Sequence, residues 1–509
     1  MPDRRRRLLI LGICSLSLLI VGLDTTIVNV ALPAIHRSLH ASLSGLQWTV
    51  DAYTLVLGSL LMLSGSTADR LGRRRVFQTG LSLFSLGSLL CALAPSLPVL
   101  IGARVLQAIG GSMLNPVAMS IIRNVFEDPR ERARAIGVWG ALFGTSMALG
   151  PVVGGALVDS ISWRAVFLVN VPIGLAAIAL TARYVPESRA ARARRIDPGG
   201  QLLVVVGLAA VTYAIIQAPA AGWLSAQTLG LGALGLCALA GLVAYERRRT
   251  EPLLEIGFFH SVPFSGASAT AVGAFVALGG FLFLNTLYLQ EVRGLSPLEA
   301  GLWTLPMAGT MILFAPISGR LVAARGTRVS LVTGSCALIA GGAILAGLGA
   351  HTPFGVLAIA YVLFGAGSGL INTPITDTAV AGMPPSQAGV AAAVASASRQ
   401  VGTTLGVAVL GALAGGAAGA VGPGFPAATH SSWLVVVALG VAMLVLGVLT
   451  STAWAQRTAA RTAERFSDPA HAGGDDTGSA GGPDGRPGAG GEGQGGPRAS
   501  GDNPALVAP

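Results

Sequence analysis

Four ionisable side chains stand inside long apolar stretches of the sequence, namely Asp24, Asp51, Arg104 and Arg399. A charge in lipid is costly, so each side chain should face a protein interior and meet a partner or water there. A carboxylate beside an arginine, in a cavity that opens alternately to two sides, could bind and release a proton as its partner moves. The next question is which elements hold these side chains in place.

Those elements are membrane-spanning helices. Of the 509 residues, 52% are hydrophobic and only 11% are charged, and the mean hydropathy is +0.68. This is too little charge to cover the surface of a soluble protein. Apolar runs of about 20 residues, the length that crosses a bilayer, recur along nearly the whole chain. Fourteen spans are predicted, near residues 8–32, 46–64, 76–94, 98–121, 135–158, 163–183, 199–219, 225–245, 263–290, 299–319, 329–350, 353–376, 387–412 and 432–455.

The positions of the arginines predict the orientation of these spans. Arginine accounts for all 33 basic residues, and cytoplasmic loops of membrane proteins are enriched in basic residues. With the N-terminus in the cytoplasm, only Arg37, Arg164 and Arg293 fall in outside loops, while alternate loops carry the arginine clusters. We therefore predict a multi-pass protein of the cell membrane with both termini in the cytoplasm.

Three glycine-containing motifs occur twice in the chain at nearly one spacing. Gly65 and Gly72 recur 254 residues later as Gly319 and Gly326. The stretches GGSMLNP and GSGLINTP are offset by 257 residues, and the glycines of Gly150–Gly155 recur after 256. Membrane proteins are often built from such repeats, so spans 1–6 should correspond to spans 9–14, with spans 7 and 8 inserted between the halves.

The repeat divides the chain into four parts. We predict a six-helix bundle over residues 1–183, a linker with two inserted spans over 184–262, and a second six-helix bundle over 263–455. The tail, residues 456–509, is rich in glycine, proline and aspartate from about Ser467 onward and is predicted to be mostly disordered.

Depth along the spans brings three of the charged residues together. At 1.5 Å per residue, Asp24, Arg104 and Asp51 lie about 12, 9 and 8 Å from the outer ends of their spans. We expect them to meet in the outer half of the first bundle and to couple proton movement to a conformational change. For Asp24 the alternative is an ion pair that only fixes packing, and for Asp51 it is a solvated position. Arg399, near the midplane, could pair with an acid or hold an anionic substrate group.

Five motifs together resemble one family. They are GSTADRLGRRR (65–75), RVLQAIGGSMLNP (104–116), GPVVGG (150–155), LDTTIVNVALP (23–33) and WRAVFLVNVPIG (163–174). The first three resemble signatures of the major facilitator superfamily, and the last two resemble its fourteen-helix drug:proton antiporter subgroup. The resemblance covers roughly residues 8–455 and implies an all-α polytopic major facilitator fold, with two six-helix bundles and two inserted helices. It also implies proton-coupling roles for Asp24 and Arg104.

The charged loop after the second span is interpreted as a conformational latch formed by Gly65, Asp69, Arg70, Gly72 and Arg73. The glycines let two helix ends approach, and the aspartate can cap the next helix or pair with an arginine. The arginines hold the loop at the anionic cytoplasmic surface. A topology anchor alone is the alternative, but it explains only the arginines.

Glycine and proline in the fifth span predict a close helix contact. Gly150, Pro151, Gly154 and Gly155 remove side chains and one backbone donor, which permits close packing and a bend. We expect these residues at an interface that changes between conformational states. A role in packing alone is the alternative.

A set of polar and aromatic residues in the spans could line a substrate cavity. The candidates are Asn29, Gln47, Trp48, Tyr53, Asn115, Asn285, Tyr288, Gln290 and Arg399. Pockets for drug-like molecules are mostly apolar with a few polar groups. Each candidate could also be an interhelical hydrogen-bonding residue or an interfacial aromatic residue.

Taken together, these features predict a proton-coupled antiporter that exports amphipathic small molecules, such as drugs or antibiotics, by alternating access. A dedicated exporter of one endogenous metabolite and a non-transporting membrane sensor are the alternatives. The lack of lysine excludes a P-loop, and the scattered histidines argue against an enzyme. We expect no metal and no cofactor. The expected partners are protons, a small-molecule substrate and the lipid bilayer, with no nucleic acid, and the protein is expected to be a monomer.

Overall fold

Helices occupy the predicted membrane spans in the computed structural model, which describes residues 4–190, 197–249, 252–381, 388–418 and 424–467. The first part of the chain forms α1 (Arg4–Leu39), α2 (Leu43–Leu71), α3 (Arg73–Leu93), α4 (Leu97–Val125), α5 (Pro129–Ser160), α6 (Ala165–Leu168) and α7 (Asn170–Tyr184). Two helices follow, α8 (Pro198–Ala221) and α9 (Ala226–Glu246), and then a 3₁₀ turn (Ile256–His260). The rest comprises α10 (Val262–Leu287), a π-helical turn (Tyr288–Val292), α11 (Pro297–Trp303), α12 (Leu305–Arg325), α13 (Thr327–Ala346), α14 (Phe354–Val380), α15 (Ala388–Ala418), α16 (Phe425–Leu449) and α17 (Ala453–Ser467).

Among the described residues, thirteen helical segments are long and apolar enough to cross a membrane. Two of them are interrupted, because α6 and α7 together form one segment and α11 and α12 form another. The helix α15 borders residues outside the described ranges at both ends and occupies the remaining predicted span. The described residues contain no strand, and the predicted all-α polytopic membrane protein is confirmed.

The internal repeat is visible in how the helices of each half pack. Gly80 of α3 faces Gly110 of α4, and a Cβ atom added at Gly80 would lie 3.0 Å from the Gly110 carbonyl oxygen. Gly334 of α13 faces Gly367 of α14 in the same way, with the corresponding distance 3.1 Å. The missing side chains let each pair of helices approach closely. The third and fourth helices of both halves are therefore packed alike, as the repeat predicts.

The two halves contact each other through helix ends that are predicted to face outside. Arg37, in the last turn of α1, forms an ion pair with Glu291 at 2.9 Å. The Gln290 side-chain amide donates a hydrogen bond to the Val30 carbonyl at 2.9 Å. Nearer the predicted cytoplasmic end, the residues of α5 between 131 and 149 are mostly half-buried or exposed.

The helices α8 and α9 pack against each other and stand beside both halves. The Gln201 side chain of α8 donates to the Ser59 carbonyl of α2 at 2.7 Å, and the Tyr213 ring lies 5.7 Å from the Trp48 ring. The helix α8 also contacts α15 of the second half. The inserted helices thus reach a helix of each half through α8.

The helix α17 is an element that the sequence pattern did not predict. The last span ends at Leu449, earlier than expected, and α17 then runs into the range predicted as tail, residues 456–509. Its buried side includes small residues that produce no apolar run, namely Ala455, Ala459 and Thr462. The remainder of the predicted disordered tail, residues 468–509, lies outside the described residues.

Candidate functional site

Asp24 and Arg104 form a fully buried ion pair inside the first half. Asp24 lies in α1 and Arg104 in α4. The Oδ2 atom of Asp24 is 2.6 Å from Nη1 of Arg104, and the two side chains are 0% and 1% exposed, respectively. Removing both charges from water costs free energy, which is offset only by good geometry and additional hydrogen bonds. The surroundings of the pair therefore decide whether it can exist.

Two amide side chains complete the surroundings of the Asp24 carboxylate. The Nε2 group of Gln107 donates to Oδ1 of Asp24 at 2.8 Å, and the Nδ2 group of Asn170 donates to the same oxygen at 3.0 Å. Gln107 also accepts a hydrogen bond from Arg104 through Oε1 at 2.7 Å. Among the described residues, every polar group that contacts the carboxylate is a hydrogen-bond donor. Gln107 bridges both members of the ion pair.

Gln107 and Asn170 are functional residues that the sequence analysis did not select. Gln107 follows Arg104 by three residues, which places both on one face of α4, and this spacing was a usable signal. Asn170 is the uncharged polar residue inside the WRAVFLVNVPIG motif, which also contains Arg164. What no local pattern reveals is that α4 and α7 bring these amides to the same carboxylate of α1.

Arg104 is also held by the second helix. Its Nε atom donates to the Thr49 carbonyl at 3.1 Å. The guanidinium lies 4.1 Å from the centroid of the Tyr53 ring, a cation–π contact. Tyr53 was predicted to line a substrate cavity, but it is fully buried and supports Arg104. Its hydroxyl has no hydrogen-bond partner in the described part of the chain.

Asp51 is buried as well, yet the structure separates it from the ion pair. Its Oδ1 accepts a hydrogen bond from the Thr54 hydroxyl at 3.5 Å, and its Oδ2 has no partner among the described residues. Residues on the same face of α2 contact α15, since Gln47 donates to the Val407 carbonyl at 2.9 Å and the Thr404 hydroxyl donates to Thr54 at 2.9 Å. This face of α2 points away from Arg104, so the three charged residues do not meet as expected.

A small cavity lies between the halves, beside Thr25, which follows Asp24 in α1. Its lining includes Thr25 and Asn29 of α1, Met147 of α5, Leu282 of α10 and Thr403 of α15. The lining is largely apolar with a few polar groups, and the space would have to widen before it could hold an organic molecule. The Asn29 side-chain oxygen has no hydrogen-bond partner among the described residues. Asn29 is thus a predicted cavity residue that the structure places in a cavity.

Several other predicted cavity residues connect helices. Gln47 and Gln290 donate to backbone carbonyls across the two halves, and Trp48 packs on the inserted helix α8, as described above. The Tyr288 hydroxyl donates to the Gly349 carbonyl at 2.8 Å. These four side chains are engaged in packing in this conformation.

The remaining candidates lie elsewhere in the halves. Asn115 has a buried side-chain oxygen without a partner in the described residues, and Asn285 accepts a hydrogen bond from the Tyr361 hydroxyl. Arg399 donates to the Thr376 hydroxyl and lies 5.9 Å from the centroid of the Phe275 ring. No acidic side chain forms an ion pair with Arg399 in the described residues. Pairing with an acid, one of the two roles considered for Arg399, is therefore not seen among the described residues in this conformation.

The glycines of the GPVVGG motif bring α5 against α1. A Cβ atom at Gly154 would lie 2.8 Å from a side-chain carbon of Ile27, and one at Gly150 would overlap the Thr26 hydroxyl. That hydroxyl donates to the Met147 carbonyl at 3.2 Å, one turn before Gly150. The two helices therefore approach so closely that neither glycine position has room for a side chain.

The same motif also forms part of the contact between the halves. A Cβ atom at Gly155 would lie 2.7 Å from the Cα atom of Leu298 in α11. Gly301 of α11 makes the reciprocal approach, because a Cβ atom there would overlap the Pro151 carbonyl. A residue of any larger size at either glycine would push α5 and α11 apart. The motif thus lies where the halves touch at the predicted outer end.

The predicted latch contacts the segment that follows α7. Asp69 pairs with Arg73 at 3.0 Å, and Gly72 adopts a φ of 113°, a conformation that favours glycine. A Cβ atom at Gly72 would lie 2.6 Å from a carboxylate oxygen of Glu187, which accepts a hydrogen bond from the Arg74 backbone amide at 3.1 Å. Glu187, an acid within an arginine-rich linker, was not selected from the sequence. Glu187 stabilises the first turn of α3.

Gly65, the first glycine of the latch, does not make the expected close approach. A Cβ atom there would meet only Pro116 of α4, at 3.9 Å, which is an ordinary van der Waals distance. In this conformation the helix ends near Gly65 are thus not pressed together.

Comparisons with known proteins agree with this architecture. A family model described as the Major Facilitator Superfamily matches residues 14–407. The multidrug resistance protein Stp of Mycobacterium tuberculosis is 40% identical over 412 residues, which are 80% of this chain and 76% of that protein. The tetracenomycin C resistance and export protein of Streptomyces glaucescens is 38% identical over 411 residues, with coverages of 80% and 76%. The methylenomycin A resistance protein of Streptomyces coelicolor is 38% identical over 394 residues, with coverages of 76% and 82%.

The fold is also similar to that of a solved structure. A bacterial homolog of the human lysosomal transporter Spinster, in an inward-facing and unoccupied conformation, superposes with a TM-score of 0.61 at 19% identity. The match covers 91% of this chain and 99% of that one. At this level of identity the likeness concerns the fold alone.

Proposed function

This chain belongs to the Major Facilitator Superfamily, and from that premise we propose that it is a proton-coupled antiporter that exports amphipathic small molecules of the drug and antibiotic class. It is a multi-pass membrane transporter, and the resemblance indicated by its motifs is confirmed. Relatives named for multidrug, tetracenomycin C and methylenomycin A resistance support export as the direction of transport. The observation that carries proton coupling is the buried pair of Asp24 and Arg104.

Protonation of Asp24 is the coupling step in this proposal. A proton on Oδ2 neutralises the carboxylate and removes its attraction to Nη1 of Arg104, which lies 2.6 Å away. Gln107 contacts both side chains and must exchange hydrogen bonds at the same time. Because these residues belong to α1 and α4, the packing of the two helices changes with the proton. Release of the proton restores the ion pair.

The contacts between the halves support alternating access. The halves touch at the predicted outer end through Gly155 and Gly301, and through the ion pair of Arg37 and Glu291. When the outer end is closed, the proton is released to the cytoplasm and the substrate enters from the cytoplasm. Opening it requires α5 and α11 to separate. Smooth glycine surfaces without interlocking side chains suit a contact that forms and breaks.

The proton gradient is sufficient to drive such export. One charge moving down a membrane potential of about 100 mV supplies about 2.3 kcal/mol. A difference of one pH unit adds about 1.4 kcal/mol. The sum sustains roughly a several-hundred-fold gradient of a neutral substrate, because each 1.4 kcal/mol corresponds to a tenfold ratio. No nucleotide is required, in agreement with the lack of a P-loop lysine.

A susceptibility panel followed by a transport assay tests this function. Cells with and without the protein are compared for growth in antibiotics and amphipathic dyes. A compound to which the protein confers tolerance is then measured in inverted vesicles, where an imposed pH gradient should drive its accumulation. A protonophore should abolish that accumulation. Accumulation that survives the protonophore would refute proton coupling, and a panel without any protected compound would contradict drug export.

A further inference from the structure

The helix α17 carries three arginines in a row on its exposed side. Arg457, Arg461 and Arg465 follow one another at intervals of four residues, so they lie along one face of the helix. All three are exposed, and none forms an ion pair with another described residue. Trp454, which is 61% exposed, stands on the same side one turn before Arg457. An aromatic residue and a row of cations therefore share one free surface.

The opposite side of α17 is fixed to the rest of the protein. The Thr458 hydroxyl accepts a hydrogen bond from the Val262 backbone amide at 3.0 Å, at the start of α10. The Phe466 ring packs edge to face on Phe258, with centroids 5.1 Å apart. Ala455, between these contacts and the last span, is completely buried. The arginine row is thus held facing away from the protein.

The location of α17 puts this surface at the level where helices leave the membrane. The membrane-spanning helix α16 ends at Leu449, and α17 begins at Ala453. The span that contains α10 begins at Val262, whose backbone amide donates a hydrogen bond to α17. The helix α17 therefore lies across the ends of two spans. Tryptophan is enriched at this level of a bilayer, and basic residues there are attracted to anionic lipids.

We propose that Trp454, Arg457, Arg461 and Arg465 form a binding surface for the headgroups of anionic phospholipids at the cytoplasmic face. Guanidinium groups donate paired hydrogen bonds to phosphate oxygens, and an indole ring is suited to the headgroup layer. Glu464 is the one acid of α17, so the helix keeps a net positive charge. This surface is separate from the Asp24–Arg104 pair, and its existence does not depend on the transported substrate.

Quenching of Trp454 by brominated lipids tests the proposal. The full-length protein is placed in phosphatidylcholine vesicles that contain an equal small fraction of brominated phosphatidylcholine or brominated phosphatidylglycerol. The signal of Trp454 is the difference between the wild-type protein and the Trp454→Phe variant. We expect brominated phosphatidylglycerol to quench Trp454 more strongly than brominated phosphatidylcholine does. The ratio of the two quenching efficiencies should fall to about one when Arg457→Gln, Arg461→Gln and Arg465→Gln are combined. High salt should lower the wild-type ratio, since exposed charges are screened.

A matched control removes the same charge from the junction of α12 and α13. Arg320 and Arg325 lie in the last two turns of α12 and Arg328 in the first turn of α13, and all three are exposed. Their combined change to glutamine should leave the lipid preference intact. Replacement of the three α17 arginines by lysine should keep most of the preference and shows that the helix tolerates substitution. Equal quenching by both lipids in the wild-type protein, or no quenching of Trp454 at all, overturns the proposal. The proposal is also overturned if the preference for the anionic lipid survives the glutamine changes in α17, or if it disappears equally in the control variant.

Discussion

Phe281 and Tyr361 pack edge to face in the second half, with ring centroids 5.4 Å apart. At the offset of 257 residues between GGSMLNP and GSGLINTP, Tyr361 is the counterpart of Arg104, and Phe281 of α10 contacts it as Asp24 of α1 contacts Arg104. The same place thus holds an ion pair in one half and an aromatic pair in the other. We infer that proton coupling belongs to the first half, and that the second half uses this position for packing.

The substitution Asp24→Asn should abolish proton-driven export. Asparagine keeps the size of the side chain but cannot exchange a proton, so the substrate gradient should fall from as much as several-hundred-fold to none. Substrate binding and downhill exchange should remain. Both are measured in proteoliposomes, with and without a pH gradient. Accumulation against a gradient by this variant would move the coupling role to another residue, with Asp51 the first to test.

The aromatic counterpart supplies the control for that experiment. Phe281→Leu should lower thermal stability, because it removes part of a buried aromatic contact, at a cost of about 1–3 kcal/mol. Coupling should persist in this variant, measured as the gradient reached per pH unit. If Phe281→Leu uncoupled transport as completely as Asp24→Asn, the division of roles between the halves would be wrong.

The substitution Gln107→Leu should weaken both stability and transport rate. It removes hydrogen bonds to two charged groups, each of which contributes about 1.5–3 kcal/mol. Gln201→Leu is a matched control, because Gln201 is also a buried amide but donates to a backbone carbonyl far from the ion pair. We expect both variants to melt at a lower temperature than the wild-type protein. Only Gln107→Leu should slow proton-driven exchange by more than its loss of stability explains. Equal rates in the two variants would leave Gln107 a purely structural role.

The substitution Gly155→Val should hold the outer end open. Its side chain would collide with the backbone of α11, where only 2.7 Å separates a Cβ atom from the Cα of Leu298. Export should fall, and a cysteine introduced at Asn29 should react from outside with an impermeant maleimide, in a background that lacks Cys237 and Cys336. Gly144→Val on the same helix is the control, since no heavy atom lies within 4 Å of a Cβ there. Unchanged labelling in Gly155→Val would argue against an opening interface.

The substitution Asp69→Asn should impair transport while leaving the protein folded and inserted. The pair with Arg73 is partly exposed, so its contribution to stability is at most about 1 kcal/mol. Ala323 is the repeat counterpart of Asp69, and its substitution should matter little. The test is the initial export rate of each variant, measured at matched expression. A normal rate for Asp69→Asn would reduce this loop to a topology anchor.

Reporter fusions test the predicted orientation. Gly222 and Arg249 stand at opposite ends of α9, a helix of 21 residues that is long enough to cross the bilayer. A fusion at Gly222 should report the outside and one at Arg249 the cytoplasm. Reporters on the same side would remove the model of fourteen spans and the orientation derived from it.

The sequence by itself determined the membrane spans, the internal repeat and the family. Hydropathy is a property of consecutive residues, and glycine spacing survives as a linear pattern, so both can be read before any folding is known. The helices α1 to α5 begin and end within seven residues of their predicted limits for this reason. The helix α17 was missed because its buried side consists mainly of alanine and threonine, which give no apolar run.

Only the tertiary structure decided which charged residues meet. Depth along a helix follows from residue number, but the direction in which a side chain points is settled by which helices are neighbours. Asp24 and Asp51 have similar depth, yet one faces Arg104 and the other lies on the side of α2 that contacts α15. Gln107 and Asn170 join the site for the same reason, since α4 and α7 pack beside α1 at a separation that no local pattern encodes.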